Sequence, residues 1–217
     1  MHIDGTKLRA SSTMNADSNA KRKFNKKVLA IAVIIIVVVA VVASWQIYLQ
    51  SSNATKTNVI LPALNLTLLG ANGQQKILDS GELVALKSYT ANGGYINDKK
   101  NTTYVGNFTG VPFLTLLNLV GGIKSNENVT VTASDGYQTT FTYQQVQGQG
   151  LTTFDQNTRA EVQPLQPLTV MVAYYCNGTS LASDIGPLSV AVVGPQGLLT
   201  NGFWWAYLLV KIQVIPA

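Results

Sequence analysis

The chain has 217 residues, with 47% hydrophobic and 12% charged side chains and a net charge of +5. One cysteine, Cys176, rules out an intrachain disulfide, and with the only histidine at position 2 it rules out a Cys/His zinc site in the bulk of the chain. Residues 1–27 hold seven Lys/Arg against two Asp, while the remainder holds eight of each sign, so the basic balance belongs to the N-terminal tail and gives no support to nucleic-acid binding.

In chain order, residues 1–27 read as a disordered, basic cytoplasmic tail. From Val28 to Ala43 every residue is Val, Leu, Ile or Ala, and the run extends through Trp45, Ile47, Tyr48 and Leu49. Residues 28–49 make a helix of roughly 33 Å, enough for a hydrocarbon core of about 30 Å. A cleaved signal peptide would have a shorter apolar region, about 7–15 residues, and a pilin-type leader would place a processing Gly after the basic cluster. The length predicts a retained signal anchor. Lys21, Arg22, Lys23, Lys26 and Lys27 precede the span, and no charge follows it before Lys56. Positive charge stays inside, so the N-terminus is expected in the cytoplasm, with the anchor and tail touching membrane lipid and the C-terminal bulk outside the cell. Residues 50–57 are a polar linker, and residues 58–217 form the extracytoplasmic domain.

Within that domain, Asn58 to Leu61 and Leu64 to Leu69 read as strands, with a turn at Gly70-Ala-Asn-Gly. Asp79-Ser-Gly-Glu82 is a capping signature that predicts a short helix from Gly81 to Lys87. The polar stretch from Ala91 to Asn107, with Gly93-Gly94, reads as a long loop. Pro112 through Val120 has helical spacing, with Gly121-Gly122 ending it. Val129-Thr-Val-Thr-Ala, Asp135-Gly136 and Tyr137 onward give a β-hairpin. Val146 to Pro167 reads as a loop with a short strand, and Leu168 to Tyr175 as a buried strand or helix. Leu188 to Val193 and Tyr207 to Ile215 read as strands.

Several segments, in this order, resemble a known family: Gly106-Asn-Phe-Thr-Gly-Val-Pro-Phe with its following leucines, Val129 through Tyr137, Ala173-Tyr-Tyr-Cys-Asn-Gly, Gly186-Pro187-Leu188, and Gly194 through Trp204-Trp205 to Lys211-Ile212. Together they are similar to the molybdopterin-binding domain of sulfite oxidase-like oxidoreductases, in the small versions found on archaeal and bacterial membrane proteins. The resemblance covers roughly Leu64 to Val214. It implies an α+β fold with a mainly β, mixed-sheet core. It also implies a molybdenum-ligating Cys upstream of Gly110-Val-Pro, yet Gly70 to Thr109 contains no Cys. The His and Arg that the family places around its Gly-Pro are replaced by Ile185 and Ser189, and Arg159 is the only Arg beyond the tail. These departures predict a domain without a cofactor, with molybdopterin as the alternative.

The residues that remain as candidates are few. Cys176 reads as a small, partly buried side chain beside a turn, with a metal or redox role as the sharper alternative. Asp135 is first of all a turn residue, with a cleft-rim contact as its functional reading. Tyr95, Tyr104, Tyr137, Tyr174, Tyr175, Trp204 and Trp205, with Asp135 and Cys176, are the candidate lining of a ligand pocket, set against the commoner reading of aromatics as core. No Ser-His-Asp set exists beyond the tail, because no His does. Six glycosylation acceptors, Asn53, Asn65, Asn101, Asn107, Asn128 and Asn177, all lie in the predicted exported part. The sequence therefore predicts a membrane-tethered surface domain that binds a small ligand or a surface protein partner. A molybdopterin-dependent oxidoreductase or electron-transfer subunit and a structural envelope glycoprotein are the alternatives.

Overall fold

A computed structural model describes residues 61–97 and 102–217, all within the unit Asn58–Ala217. The predicted tail, span and linker, the strand residues before Leu61 and the acceptors Asn53 and Asn101 lie outside the described residues. No helix among the described residues is long and apolar enough to cross a membrane.

Two sheets share one core. The first has the order β2-β1-β12-β5-β6: β1 is Asn65–Leu69, β2 Gln75–Asp79, β5 Glu127–Ala133, β6 Gln138–Thr142 and β12 Leu209–Pro216. Its residues alternate. In β5 the buried positions include Val129, Val131 and Ala133, with half-exposed Thr130 and Thr132 between them, the pattern of a sheet with one face on the core and one toward solvent. The hairpin β5–β6 forms as the sequence predicts. Gly136 takes φ +89, and the Asp135 carboxylate accepts from the Tyr137 N–H at 2.9 Å.

The second sheet has the order β10-β8-β4-β3-β11-β7 and a further pairing of β10 with β3. Here β3 is Tyr89–Ile96, β4 Thr102–Pro112, β7 Thr153–Phe154, β8 Thr169–Cys176, β10 Ser189–Gly194 and β11 Leu199–Asn201; the two-residue β9, Thr179–Ser180, pairs with β8. The extra pairing closes β3, β4, β8 and β10 into a ring. This is where the chain departs from expectation: Ala91 to Asn107 contains two paired strands in place of a loop. The glycines that suggest a loop are strand residues at which backbones meet. A Cβ on Gly93 would stand 2.6 Å from the Val192 carbonyl oxygen, one on Gly94 2.6 Å from that of Tyr104, and one on Gly110 2.1 Å from that of Val172. Ring closure at this tightness requires residues without side chains.

The helices are short. The first, α1, is Ser80–Ala85 with a full capping box between Asp79 and Glu82. The second, α2, is Phe113–Leu117; it runs into a 3-10 turn, Asn118–Val120, and stops at Gly121 with φ +98. The third, α3, is Tyr143–Val146, capped by Thr142 and Gln145, and is an addition to the expected elements. The core between the sheets is built from side chains such as Leu66, Leu68, Val131, Phe141, Val172 and Val190, all fully buried.

Candidate functional site

Three tyrosines converge, two of them register partners on neighbouring strands and the third from far along the chain. Tyr95 comes from β3, Tyr104 from β4, and Tyr207 from the segment entering β12. The Tyr207 hydroxyl donates to that of Tyr95, and the Tyr95 ring lies 6.2 Å from Tyr207 and 5.4 Å from Trp205, centroid to centroid. Phe108 continues the stack, 5.1 Å from Trp205 and 5.6 Å from Tyr104. Cys176, the last residue of β8, reaches this group through a hydrogen bond with the Tyr104 side chain. Gly106 gives the thiol its place, because a Cβ there would sit 2.3 Å from Sγ. The turn after β8 is clamped to β4: Asn177 N donates to the Asn107 carbonyl at 2.8 Å, and Asn107 N donates to Asn177 Oδ1 at 2.9 Å.

The electrostatics keep this cluster protonated. Burial pushes the Tyr104 phenol up to about 12, helped by its bond to Cys176 and by the Asp184 carboxylate. Burial also raises Tyr207, with Tyr95 and Asp184 adding to it. The Cys176 thiol is raised by burial and only partly offset by the Tyr104 hydroxyl. Tyr104, Tyr207 and Cys176 thus carry phenolic and thiol protons into a partly buried, hydrogen-bonded group.

Of the candidate pocket residues, the fold brings Tyr95, Tyr104, Trp205 and Cys176 into this cluster. Asp135, Tyr137 and Trp204 gather elsewhere: the Tyr137 hydroxyl donates to the Phe203 carbonyl at 2.7 Å, and Trp204 packs on Phe203 at 4.3 Å and Phe141 at 4.8 Å. Trp204 and its neighbour Trp205 thus serve different groups, Trp204 with Phe141 of the first sheet and Trp205 with Phe108 of the second. Tyr175 stands edge-on to Tyr174 at 5.5 Å. Sequence reasoning missed Tyr207 and Asp184, and no local signal marks either, since Tyr207 meets Tyr95 across 112 positions. Among the glycosylation acceptors, Asn65 and Asn177 are exposed, and Asn107 and Asn128 are half-buried. The Asn107 amide already donates to Asn92 Oδ1 at 3.2 Å.

Two clefts of about 320 Å³ each open on the domain. One lies where β4 ends, among Lys87, Ser88, Pro112, Thr115, Gln147 and Thr169. The other lies beside Gly186-Pro187 and is lined by uncharged residues, including Tyr174, Ser180 and Ser183.

Among the described residues, the positions that the family resemblance assigns to the cofactor carry no matching donors. Among the described residues no three His, Cys, Asp or Glu side chains come together as a metal-binding group. The one thiol, Cys176, is buried and hydrogen-bonded to Tyr104. Next to Gly186-Pro187, Ile185 is buried apolar surface, and the buried Ser189 hydroxyl is spent on the Val190 and Ala206 carbonyls at 3.2 Å each. Neither supplies the cationic fork that a cofactor phosphate requires. Arg159 lies in the β7–β8 connection, beside Asp155, and Lys211 is paired in register between Thr67 and Thr132 on the first sheet.

No protein-family profile matches the chain. No curated protein matches it either. In fold, the chain is similar to the sulfane dehydrogenase SoxCD from Paracoccus pantotrophus, with a TM-score of 0.51 and 14% identity; the match covers 70% of this chain and 38% of that one. At that identity the likeness speaks for the fold alone. It supports a distant molybdopterin-domain-like architecture: mainly β, with few and short helices.

Proposed function

We propose that this chain is a membrane-anchored binding domain on the outer face of the cell, built on a distant relative of the molybdopterin-domain fold and working without that cofactor. Residues 28–49 hold it in the bilayer, with the basic tail inside. The observation that carries the reading is the donor set. The chain keeps the architecture, yet the single cysteine beyond the tail is a buried thiol hydrogen-bonded to Tyr104, and no cation flanks Gly186-Pro187. A fold hosts many functions, and the site decides among them.

A loading experiment tests this. The purified full chain is incubated with molybdopterin and molybdate, and then desalted. The expected result is retention far below one equivalent of pterin or molybdenum. A stable one-to-one complex would overturn the reading and return the chain to the oxidoreductases.

A further inference from the structure

β4 leaves its sheet at Pro112, where extended backbone at φ −58 and ψ 142 gives way to α2. At that point its partner on β8 is Met171. β8 begins two residues earlier, so Thr169 and Val170 pair with β10 on one side and have no β4 partner on the other. The lane that β4 vacates is bounded across the gap by Lys87 and Ser88, which lead into β3. This is the cleft of about 320 Å³ described above, at the small end of the roughly 300–1,000 Å³ of ligand sites.

Each wall is held by an identifiable device. Lys87 follows directly on the C-cap of α1, where Leu86 N donates to the Leu83 carbonyl at 3.2 Å. The α3 wall is fastened to the start of β8 by Leu168 N donating to the Gly148 carbonyl at 2.9 Å. Gly148 itself sits so close that a Cβ would fall 1.8 Å from the Leu168 oxygen. The cleft therefore belongs to the folded framework.

Its chemistry is one-sided. Leu114, Val146, Leu168 and Val170 give an apolar lining, while Lys87 brings an ammonium, Ser88, Thr115 and Thr169 bring hydroxyls, and no carboxylate lines the space. Among the described residues the sole ion pair is Lys76 with Glu82, so the Lys87 charge is not committed to a protein partner. We propose that this cleft binds a small carboxylate with an apolar body, its carboxylate against Lys87 and its hydrocarbon against Val146, Leu168 and Val170. The size suits a short-chain or single-ring acid. The inference rests on the reading of the domain as a binding module and names its ligand class.

Hexanoate is the probe. The isotope-labelled full chain, in lipid nanodiscs, is titrated while amide shifts are followed by NMR. Saturable shifts are expected at Thr115, Gln147 and Thr169. Lys87→Met, an exposed position, should leave the rest of the spectrum unchanged and weaken the apparent affinity about tenfold or more, since a charge-assisted bond is lost. Hexylamine should not compete. Absent saturation, equal affinity in Lys87→Met, or shifts confined to other parts of the domain would each overturn the assignment. Failure here leaves the cofactor-free reading standing, whereas stable molybdopterin loading would sink that reading whatever hexanoate does.

Discussion

Cys176 and Tyr104 hold their protons more tightly in the folded domain than in the unfolded chain, and burial is the first cause for both. A group whose folded value is raised contributes fully below its unfolded value, and that contribution is lost as pH climbs through the folded one. For Cys176 the window opens at 9.0 and extends upward, and for Tyr104 it runs from 10.0 to about 12. Tyr207, raised in the same direction, adds to the alkaline side. The unfolding midpoint should therefore show no loss from these groups between about pH 7 and 8.5, below the ordinary thiol range, and should fall above it. Tyr104→Phe, which has no proton to lose, should flatten the part of the fall above pH 10. Identical alkaline profiles for the two proteins would mean that the buried phenol is not coupled to folding.

The same residue type serves two purposes in two elements. Gly110 lies in β4 against β8, where a Cβ would press to 2.1 Å from the Val172 carbonyl oxygen. Gly136 closes the β5–β6 hairpin at φ +89 with open space around it. Gly110→Ala must therefore push strands apart and should cost about 3 kcal/mol, whereas Gly136→Ala pays only for a left-handed backbone, about 1 kcal/mol. Urea unfolding of the two variants checks the order, and a larger loss at Gly136 would contradict the packing account. This difference also explains what was legible in the sequence. Asp135-Gly136 between alternating segments has a local cause and reads correctly. So does the capping box of α1, in which Glu82 N donates to Asp79 Oδ1 at 2.8 Å. Gly93 and Gly106 are glycines because of β10 and the end of β8, which arrive from much later in the chain, and Gly94 because the paired β4 brings the Tyr104 carbonyl against it, so a local reading mistakes β3 and β4 for a loop. The helix α3 carries the same kind of cap at Thr142 and Gln145, but four residues give no periodicity to detect. The site follows this pattern as well: Tyr95, Tyr104 and Cys176 stand out by residue type, but their grouping with Tyr207 and Asp184 is made only by the fold.

At the scale of the whole molecule, a ring of strands with glycines at its contacts and an outer, half-exposed sheet make one domain without disulfides. The likeness to the SoxCD chain lies in this architecture. The side chains beside Gly186-Pro187 are the buried Ile185 and Ser189, whose hydroxyl is spent on the Val190 and Ala206 carbonyls. The central proposal is that a domain of this fold works without molybdopterin. The most direct test of that proposal is the pterin, molybdenum and tungsten content of the full chain purified from its native cells. The account predicts that all three stay far below one per chain. A pterin and a metal ion each near one per chain would contradict it.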